Sequence, residues 1–317
     1  MFSECRKAPT VSIIIATKNR DEALRTISLP SLLNQDDGDF EVVLWDASDS
    51  SRSRDVACDF EDMFAVRGIS LRCFAAPRSG LVSQRNDAVR EATGKLLFFI
   101  DDDSEMSSDG VSGLKECFTE YSQSMGGALR VEDASDEAGG GRRQRWKDVF
   151  YKMIGHTRKR KVALSGSAKG LGAPPGEAEW LSGCSMAFRR EVFNDLRFNE
   201  KLETFGPYAL AEDIEFSHRV YKHYGRPLMV AEKGRVVHHA VSGERVAGTD
   251  AKAAMVFYNR YLVMLAASQR RRLAGHLVFA WTALRILVKL SRSFGVRTAL
   301  RGLRMAVRQV LKDRKSI

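Results

Sequence analysis

The sequence predicts an α/β protein: a mostly parallel central sheet flanked by helices, followed by basic amphipathic helices. Three observations support this fold class. Short apolar runs alternate with segments of helical periodicity, the runs are apolar at nearly every position, and Lys and Arg concentrate near the C-terminus. Strands that are apolar on both faces are typical of parallel sheets covered by helices on either side.

The first hundred residues contain four predicted strands and two predicted helices. The runs VSIIIAT, FEVVLWD, ISLRCFA and KLLFFI predict strands at 11–17, 40–46, 69–75 and 95–100. Apolar residues at helical spacing predict a helix at 21–35, with Pro30 as a kink. A second predicted helix covers 81–94, with Gly94 in the C-terminal cap position.

Composition is that of an ordinary folded protein, with 317 residues, 44% hydrophobic and 28% charged. Five scattered cysteines without a CxxC pair argue against a disulfide framework or a zinc–thiolate site, and they fit a reducing cytosol. The first residues lack the apolar segment of a signal peptide. No run approaches about 18 uncharged apolar residues, so we expect a cytoplasmic protein without a membrane span.

The net charge of +10 is carried by the tail. Residues 268–317 contain thirteen Lys and Arg and one acid, whereas residues 1–267 contain 37 Lys and Arg and 39 acids. This asymmetry indicates an anionic partner for the tail, either a membrane surface or a nucleic acid.

Three consecutive aspartates, Asp101, Asp102 and Asp103, follow the fourth predicted strand. In a parallel sheet, ligands bind beyond the carboxyl ends of the strands, where the polar segments at 17–20 and 46–51 would also lie. Adjacent carboxylates raise one another's pKa unless a cation compensates, and Mg²⁺ or Mn²⁺ held by carboxylates keeps positions for phosphate oxygens. The pattern favours a nucleotide site, and the alternative is a solvated turn that caps a helix.

Six segments, taken in order, resemble those of the family 2 glycosyltransferases, which have the GT-A fold. They are VSIIIATKNR, VVLWDASDSS, RSGLVSQRNDAVREATGKLLFFIDDD, WLSGCSMAFRREVF, AEDIEFSHRV and GRVVHHAVSGER. The resemblance spans about residues 10–245 and implies an inverting transferase that uses a nucleotide-diphospho-sugar donor. At Ala47, Ser48 and Asp49 the sequence departs from the family pattern of an acid, Gly and Ser.

The resemblance implies donor-binding roles for five residues. Thr17, Arg20 and Asp46 would surround the base and ribose of the nucleotide. Arg85 would help to hold that pocket from the helix before the aspartates. Asp101 would reach the ribose or a metal-bound water.

The resemblance also implies a divalent metal, Mn²⁺ or Mg²⁺, bound by Asp101 and Asp103. Asp102 would turn away or support its neighbours. One of His238 and His239 would complete the metal shell. Because adjacent side chains of a strand face opposite sides, only one of the two can face the metal, and we favour His238.

Asp213 is the candidate general base. It opens a predicted helix whose Phe216, Val220 and Tyr224 recur every four residues. Taken locally, Glu212 and Asp213 are also the acids that a helix N-terminus favours. The resemblance instead implies that Asp213 accepts the proton of the acceptor hydroxyl as it attacks the anomeric carbon.

The segment 132–178 is rich in glycine and charge, and it predicts a mobile lid, an acceptor loop or a disordered insertion. Basic residues at 142–147 would meet a phosphate on the acceptor or form a solvated face. Trp146 and Trp180 would stack on a sugar ring or pack in the core.

The residue pattern of the tail predicts helices, and the last of these has two stripes of residues along its surface. One is basic, at Arg297, Arg301, Arg304 and Arg308, and the other is apolar, at Leu300, Leu303, Val307, Val310 and Leu311. This pattern favours contact with an anionic membrane surface. The alternative is a helix packed on the catalytic domain with solvated arginines. Family 2 enzymes often act on lipid-linked acceptors, which suits a cytosolic enzyme on the inner face of the cell membrane.

We therefore divide the chain into a catalytic domain at 1–250 and a basic helical extension at 251–317. Within the first, about 10–105 would bind nucleotide and 106–250 the acceptor. A nucleotidyltransferase is one alternative, but ATKNRDEA lacks its glycine-rich triphosphate loop. A nucleic-acid-binding tail is another, but the last twenty residues contain no aromatic residue for stacking. We expect no nucleic-acid partner; the sequence gives no donor sugar, acceptor or oligomeric state.

Overall fold

A computed structural model describes residues 8–134, 159–170, 173–241, 249–269 and 271–314. Its strands are β1 (Val11–Thr17), β2 (Phe40–Asp46), β3 (Ser70–Ala75), β4 (Leu96–Asp101), β5 (Ser104–Met106), β6 (Gly126–Asp133), β7 (Lys161–Val162), β8 (Ala168–Lys169), β9 (Gly176–Ala178), β10 (Met186–Arg189) and β11 (Leu228–His238).

The helices are α1 (Asp21–Ala23), α2 (Leu29–Leu33), α3 (Arg52–Val66), α4 (Leu81–Glu91), α5 (Gly110–Glu120), α6 (Val192–Asp195), α7 (Glu212–Tyr224), α8 (Thr249–Ala267), α9 (Arg272–Phe294) and α10 (Val296–Arg314). A π-helical turn, Leu24–Ser28, joins α1 to α2, and a 3₁₀ turn, Glu200–Glu203, precedes α7.

One sheet carries the fold, with strand order β3-β2-β1-β4-β10-β6-β11-β5 and with β9 paired to β11. The four strands predicted from the sequence are adjacent and parallel. Beyond β4 the sheet becomes mixed, because β10 runs antiparallel to both β4 and β6. The parallel half therefore presents the carboxyl ends of β1, β2 and β4 at one edge.

The central strands are buried on both faces, as their uniform apolar composition predicts. Successive residues of β1 and β4 alternate between two cores. Ile14 and Phe99 belong to the core on one face, whereas Ile13 and Phe98 belong to the core on the other. Helices α4, α7 and α8 contribute to the first core, and α2, α3 and α5 contribute to the second.

Two local predictions come out differently. The irregularity expected at Pro30 is the π-helical turn that directly precedes the proline-bearing α2. The predicted cap at Gly94 is wrong, since α4 ends at Glu91 with Ala92 as its C-cap. A Cβ at Gly94 would lie 2.5 Å from the Ser12 backbone nitrogen, so glycine is needed there for close approach to β1.

The last helices pack on the rest of the protein to different extents. Helix α8 is largely buried, and its Phe257 and Tyr258 lie in the first core. Helix α10 lies along α8: a Cβ at Gly302 would come within 2.5 Å of the Ala253 Cβ, and Tyr258 donates a hydrogen bond to Asp313. The packed-helix alternative therefore describes one side of α10, although Val307 on its apolar stripe remains exposed.

Among the described residues, α9 is the helix that is long and apolar enough to cross a membrane, judged by length and composition alone. Only 11% of the most apolar 18-residue stretch of α9 is buried. The expectation that no segment could span a membrane required an uninterrupted uncharged run. It overlooked this helix, in which Arg285 and Lys289 interrupt the apolar residues.

Substituting Gly94 tests the close approach of the α4–β4 turn to β1. We expect Gly94→Ala to lower the free energy of unfolding by about 1–3 kcal/mol, because the new methyl group meets the backbone of Ser12 rather than a movable side chain. Gly38→Ala is the matched control, since its Cβ would lie 3.8 Å from its nearest neighbour, the Arg67 carbonyl oxygen. Urea unfolding measures both variants, and equal stabilities would contradict the packing argument.

Candidate active site

Two loops at the carboxyl ends of β1 and β2 are tied together. The Asn19 side chain donates a hydrogen bond to Asp49, and the Asp49 amide donates back to Asn19. The Ser48 amide donates to the Asp46 carboxylate at 2.8 Å. Ser48 and Asp49, which depart from the family pattern, thus still form hydrogen bonds that hold the loop after β2 in place.

The Gln84 side chain of α4 forms hydrogen bonds with both of these strand ends. Its side-chain amide donates to the carbonyl oxygens of Thr17, at 3.0 Å, and Trp45, at 2.9 Å. The sequence alone does not point to Gln84, because a glutamine on a helix carries no motif of its own. Its position one residue before Arg85 shows that α4 supports the edge through two consecutive side chains.

Asp102 supports the first loop from within the protein. It accepts a hydrogen bond from the Thr17 hydroxyl at 2.7 Å and lies 3.5 Å from the Arg20 guanidinium. Burial raises the pKa of Asp102 to about 7, although Arg20 and Thr17 favour the charged form. The expectation for Asp102 is that it turns away or supports its neighbours, and its contacts are with Thr17 and Arg20.

Asp101, Asp103 and His238 lie together at the end of β4, and we call them the acid–histidine cluster. One potential ligand atom from each lies within 4.8 Å of the others. His238 Nε2 is 3.4 Å from Asp103, whereas His239 pairs with Glu105 at 2.9 Å. The two histidines therefore diverge, and the geometry brings the favoured one to the aspartates.

A cationic side chain of the protein itself, Arg20, lies beside the cluster. Arg20 Nη1 donates to Asp103 at 2.7 Å. Burial would raise the pKa of Asp103, but hydrogen bonds from His238 and Arg20 lower it to about 2. Two carboxylates and an imidazole are a donor set that suits Mn²⁺ or Mg²⁺, so the residues fit the expected metal.

A buried guanidinium connects this cluster to α7. Arg85 donates to Asp101 at 3.0 Å, to Glu212 at 2.9 Å and to the Gly183 carbonyl oxygen at 3.0 Å. Its side chain is only 2% exposed. The expected donor-pocket residue therefore links the end of β4 to the start of α7 and to the turn before β10.

Asp213 is held by backbone amides at the start of α7. The Gly183 and Ile214 N–H groups donate to its two carboxylate oxygens, at 3.0 and 2.7 Å. Ala211, immediately before the acid pair, has a left-handed backbone with φ of 67°. Burial raises the pKa of both Glu212 and Asp213, and Arg85 opposes the shift in each.

Two further arginines, the buried Arg160 and the half-buried Arg260, lie close enough to Asp213 to interact with its charge. Arg160 packs over the ring of Trp180, which is itself buried. Arg260 donates to the Gly166 carbonyl oxygen at 2.6 Å. Burial lowers the pKa of both arginines, and the charge of Asp213 raises it. Neither lies in a recognisable motif, so only folding brings them here.

The other residues expected at the acceptor side are only partly described. Trp180 packs in the protein and donates to the Lys169 carbonyl oxygen, so the packing alternative holds for this residue. The basic residues at 142–147 and Trp146 lie outside the described residues.

The Glycosyl transferase family 2 profile matches residues 12–197, more than half of the chain. Uncharacterized glycosyltransferase EpsJ of Bacillus subtilis (strain 168) is 32% identical over 100 residues. That alignment covers 32% of this chain but only 28% of EpsJ.

Among solved structures, S. aureus TarS 1-349 in complex with UDP-GlcNAc gives a TM-score of 0.58 at 18% identity, covering 90% of this chain and 73% of TarS 1-349. A structure of GalNAc-T7 with UDP, GalNAc and Mn²⁺ gives 0.50 at 14% identity, covering 80% and 48%. This chain spans 39% of a longer TarS structure.

The sheet with its polar carboxyl edge is thus the GT-A fold, the fold class that the sequence predicts. Within that class, the chain belongs to glycosyltransferase family 2. Membership favours glycosyl transfer over the two alternatives, a nucleotidyltransferase and a non-catalytic nucleic-acid-binding protein.

Arg85 offers a test of the buried network. We expect Arg85→Met to lower the free energy of unfolding by about 3–5 kcal/mol, because it leaves the buried Glu212 and the half-buried Asp101 without their cation. Arg90→Met, on the same helix, is the control, since the Arg90 side chain is 65% exposed. Chemical unfolding followed by circular dichroism compares them, and a stable Arg85→Met protein would show that the network is not an ionic one.

Proposed function

We propose that the chain transfers a sugar, with inversion, from a nucleotide-diphospho-sugar to a hydroxyl group of a saccharide acceptor. The position of Asp213 carries this proposal. Its carboxylate is fixed by two backbone amides, and it is linked through Gly183 and Arg85 to Asp101 of the acid–histidine cluster. A base and a donor-binding site are thus held in one rigid network.

The donor binds at the carboxyl edge of β1, β2 and β4. Asp101 is the donor-site acid best placed to contact a ligand, with a side chain 33% exposed, and Arg20 is 15% exposed. The Asp46 side chain is 2% exposed and shapes the wall of the pocket. Thr17 also shapes the pocket, through the hydrogen bond that its hydroxyl donates to Asp102. The TarS structure with UDP-GlcNAc supports a nucleotide-sugar donor.

The acid–histidine cluster holds Mn²⁺ or Mg²⁺ in this proposal, through Asp101, Asp103 and His238. A divalent ion supplies charge that neutralises the departing diphosphate. Arg20 already contacts Asp103 and would share that carboxylate with the metal. The fit rests on the donor set and on the mutual approach of the three side chains.

Asp213 serves as the general base. A carboxylate must be ionised to accept a proton, and the amides of Gly183 and Ile214 stabilise that form while orienting the oxygens. The acceptor hydroxyl transfers its proton to Asp213 while its oxygen attacks the anomeric carbon. Direct attack from the face opposite the leaving diphosphate inverts the anomeric configuration.

We further propose a lipid-linked saccharide acceptor and a location on the inner face of the cell membrane, in a role in polysaccharide biosynthesis at the cell envelope. The basic residues after Ala267 support contact with an anionic surface. We retain the division near residue 250, with α8 packed on the catalytic domain and α9 and α10 following it.

Asp213→Asn tests the base. The amide keeps the shape of the carboxylate but cannot accept the proton, so we expect transfer to fall by about 10²-fold or more while donor affinity stays near wild type. Transfer is measured with a nucleotide sugar and a saccharide acceptor, and donor affinity by calorimetry. Asp195→Asn is the control, since the Asp195 side chain is 56% exposed and lies outside the network. A wild-type rate in Asp213→Asn would make Glu212 the next residue to test.

Asp103→Asn tests the metal. Removing the charge should abolish the gain in nucleoside-diphosphate affinity that Mn²⁺ gives, while circular dichroism remains that of the wild type. Glu105→Gln is the matched control: it is an acid two residues along, 54% exposed, and paired with His239 rather than His238. The metal assignment fails if calorimetry shows the same Mn²⁺-dependent affinity in Asp103→Asn as in the wild type.

A further inference from the structure

Helix α9 carries an exposed apolar ridge. Five of its apolar side chains recur at spacings of four, four, three and four residues, which places them on one side of the helix. They are Leu273, Leu277, Trp281, Leu284 and Val288, with exposures of 77%, 69%, 63%, 50% and 44%. An apolar ridge this continuous is costly to leave in water and indicates a binding surface.

The opposite side of α9 holds the helix on the protein. Gly275 and Leu290 are buried, and a Cβ at Gly275 would meet the Ser268 side chain at 2.5 Å. Ile286 and Phe294 pack against the first core. The ridge is therefore a second apolar face of α9, because the first apolar face already packs against the rest of the protein.

A basic strip lies beside the ridge. Arg285, Lys289 and Arg292 are all exposed and follow one another at helical spacing. The sequence contains no acid between residues 268 and 312 that could neutralise them. An apolar ridge flanked by cations is the pattern of a helix that lies in the interface of an anionic bilayer.

We propose that the ridge of α9 inserts into an anionic lipid surface, with Arg285, Lys289 and Arg292 against the headgroups. This inference deepens the membrane contact of the proposed function and rests on it, but it assigns the contact to α9 rather than to the basic stripe of α10. Trp281, at the centre of the ridge, is a side chain suited to the boundary between acyl chains and headgroups.

The surroundings of α9 place it in the plane of the membrane rather than across it. A helix of 23 residues is about 35 Å long, enough to carry its far end through a bilayer. Helix α10, which follows directly, packs against α8 through Ala299, Gly302 and Ala306. A spanning α9 would pull α10 to the other side of the membrane, away from that contact.

A second copy of the chain is a poorer partner for the same face. In a twofold dimer with antiparallel α9 helices, the ridge would meet its own counterpart and bring the two basic strips together. With no acid in the tail between residues 268 and 312, like charges would face each other without compensation. Anionic lipid provides the complementary charge.

Vesicle binding by the full-length chain tests the proposal. We use phosphatidylcholine vesicles with and without phosphatidylglycerol, and we expect binding only to the anionic vesicles, weakened by salt. Leu277→Ser with Trp281→Ser should weaken binding by at least about tenfold, since both side chains lose their apolar contact with lipid. Both side chains are exposed, so the fold should survive, and circular dichroism verifies this.

Two control variants distinguish α9 from other exposed apolar residues. Met63→Ser with Val66→Ser removes apolar side chains of α3, 49% and 88% exposed, and should leave binding unchanged. Leu300→Ser with Val307→Ser alters the exposed stripe of α10, at 37% and 48%, and should have a clearly smaller effect than the ridge variant. An equal or larger effect of the α10 variant would overturn the assignment to α9.

Tryptophan fluorescence gives a direct readout of insertion. Brominated acyl chains should quench wild-type emission, and this quenching should be lost in Trp281→Phe, which keeps an apolar ring and most of the binding. Undiminished quenching in Trp281→Phe would overturn the proposal. So would sedimentation showing a dimer that the ridge variant dissociates, since the partner would then be a second copy.

The test is independent of catalysis. Nucleotide-sugar binding and hydrolysis in solution should be unchanged in the ridge variant, because none of the proposed site residues lies on α9. A wild-type protein that binds anionic vesicles but no nucleotide sugar would refute the proposed function alone. A protein that turns over nucleotide sugar but ignores anionic vesicles would refute the ridge alone.

Discussion

The buried guanidinium of Arg85 is the interaction on which the site depends. It lies where the acidic end of β4, the turn at Gly183 and the acidic start of α7 meet, and it donates to all three. Three carboxylates, Asp101, Glu212 and Asp213, approach one another there, and their mutual repulsion would be unfavourable without a cation. Arg85 makes that concentration of negative charge compatible with a folded protein.

The fold explains how this interaction forms from distant parts of the chain. Strand β10 runs antiparallel beside β4, so the turn that precedes β10 lies next to the carboxyl end of β4. The Gly183 peptide in that turn accepts from Arg85 and donates to Asp213. A side chain at Gly183 would press on Glu212, with a Cβ only 3.0 Å from its carboxylate. The same sheet geometry thus brings the end of β4, the turn at Gly183 and the start of α7 together.

The sequence predicts much of this arrangement, for a physical reason. Uniform apolar strands and a run of aspartates are local patterns, so β1 to β4, the edge at Asp101 and the start of α7 are predictable. Gln84, Arg160 and Arg260 are not, because their importance comes from neighbours that are distant in the sequence. The ridge of α9 is missed for a related reason: periodicity shows that a helix has apolar residues, but only packing shows which of them stay exposed.

Backbone strain is concentrated at the same edge of the sheet. Among the described residues, the non-glycine residues with positive φ are Asn19, Ala211 and Ala240. They adjoin Arg20, the Glu212–Asp213 pair and the end of β11. Each such conformation costs of order 1 kcal/mol or more, which the surrounding packing must offset. A substitution that relieved this strain would also displace residues of the proposed site, so at this edge a gain in thermal stability would come at the expense of the proposed activity, and evolution toward higher temperature would have the least freedom there.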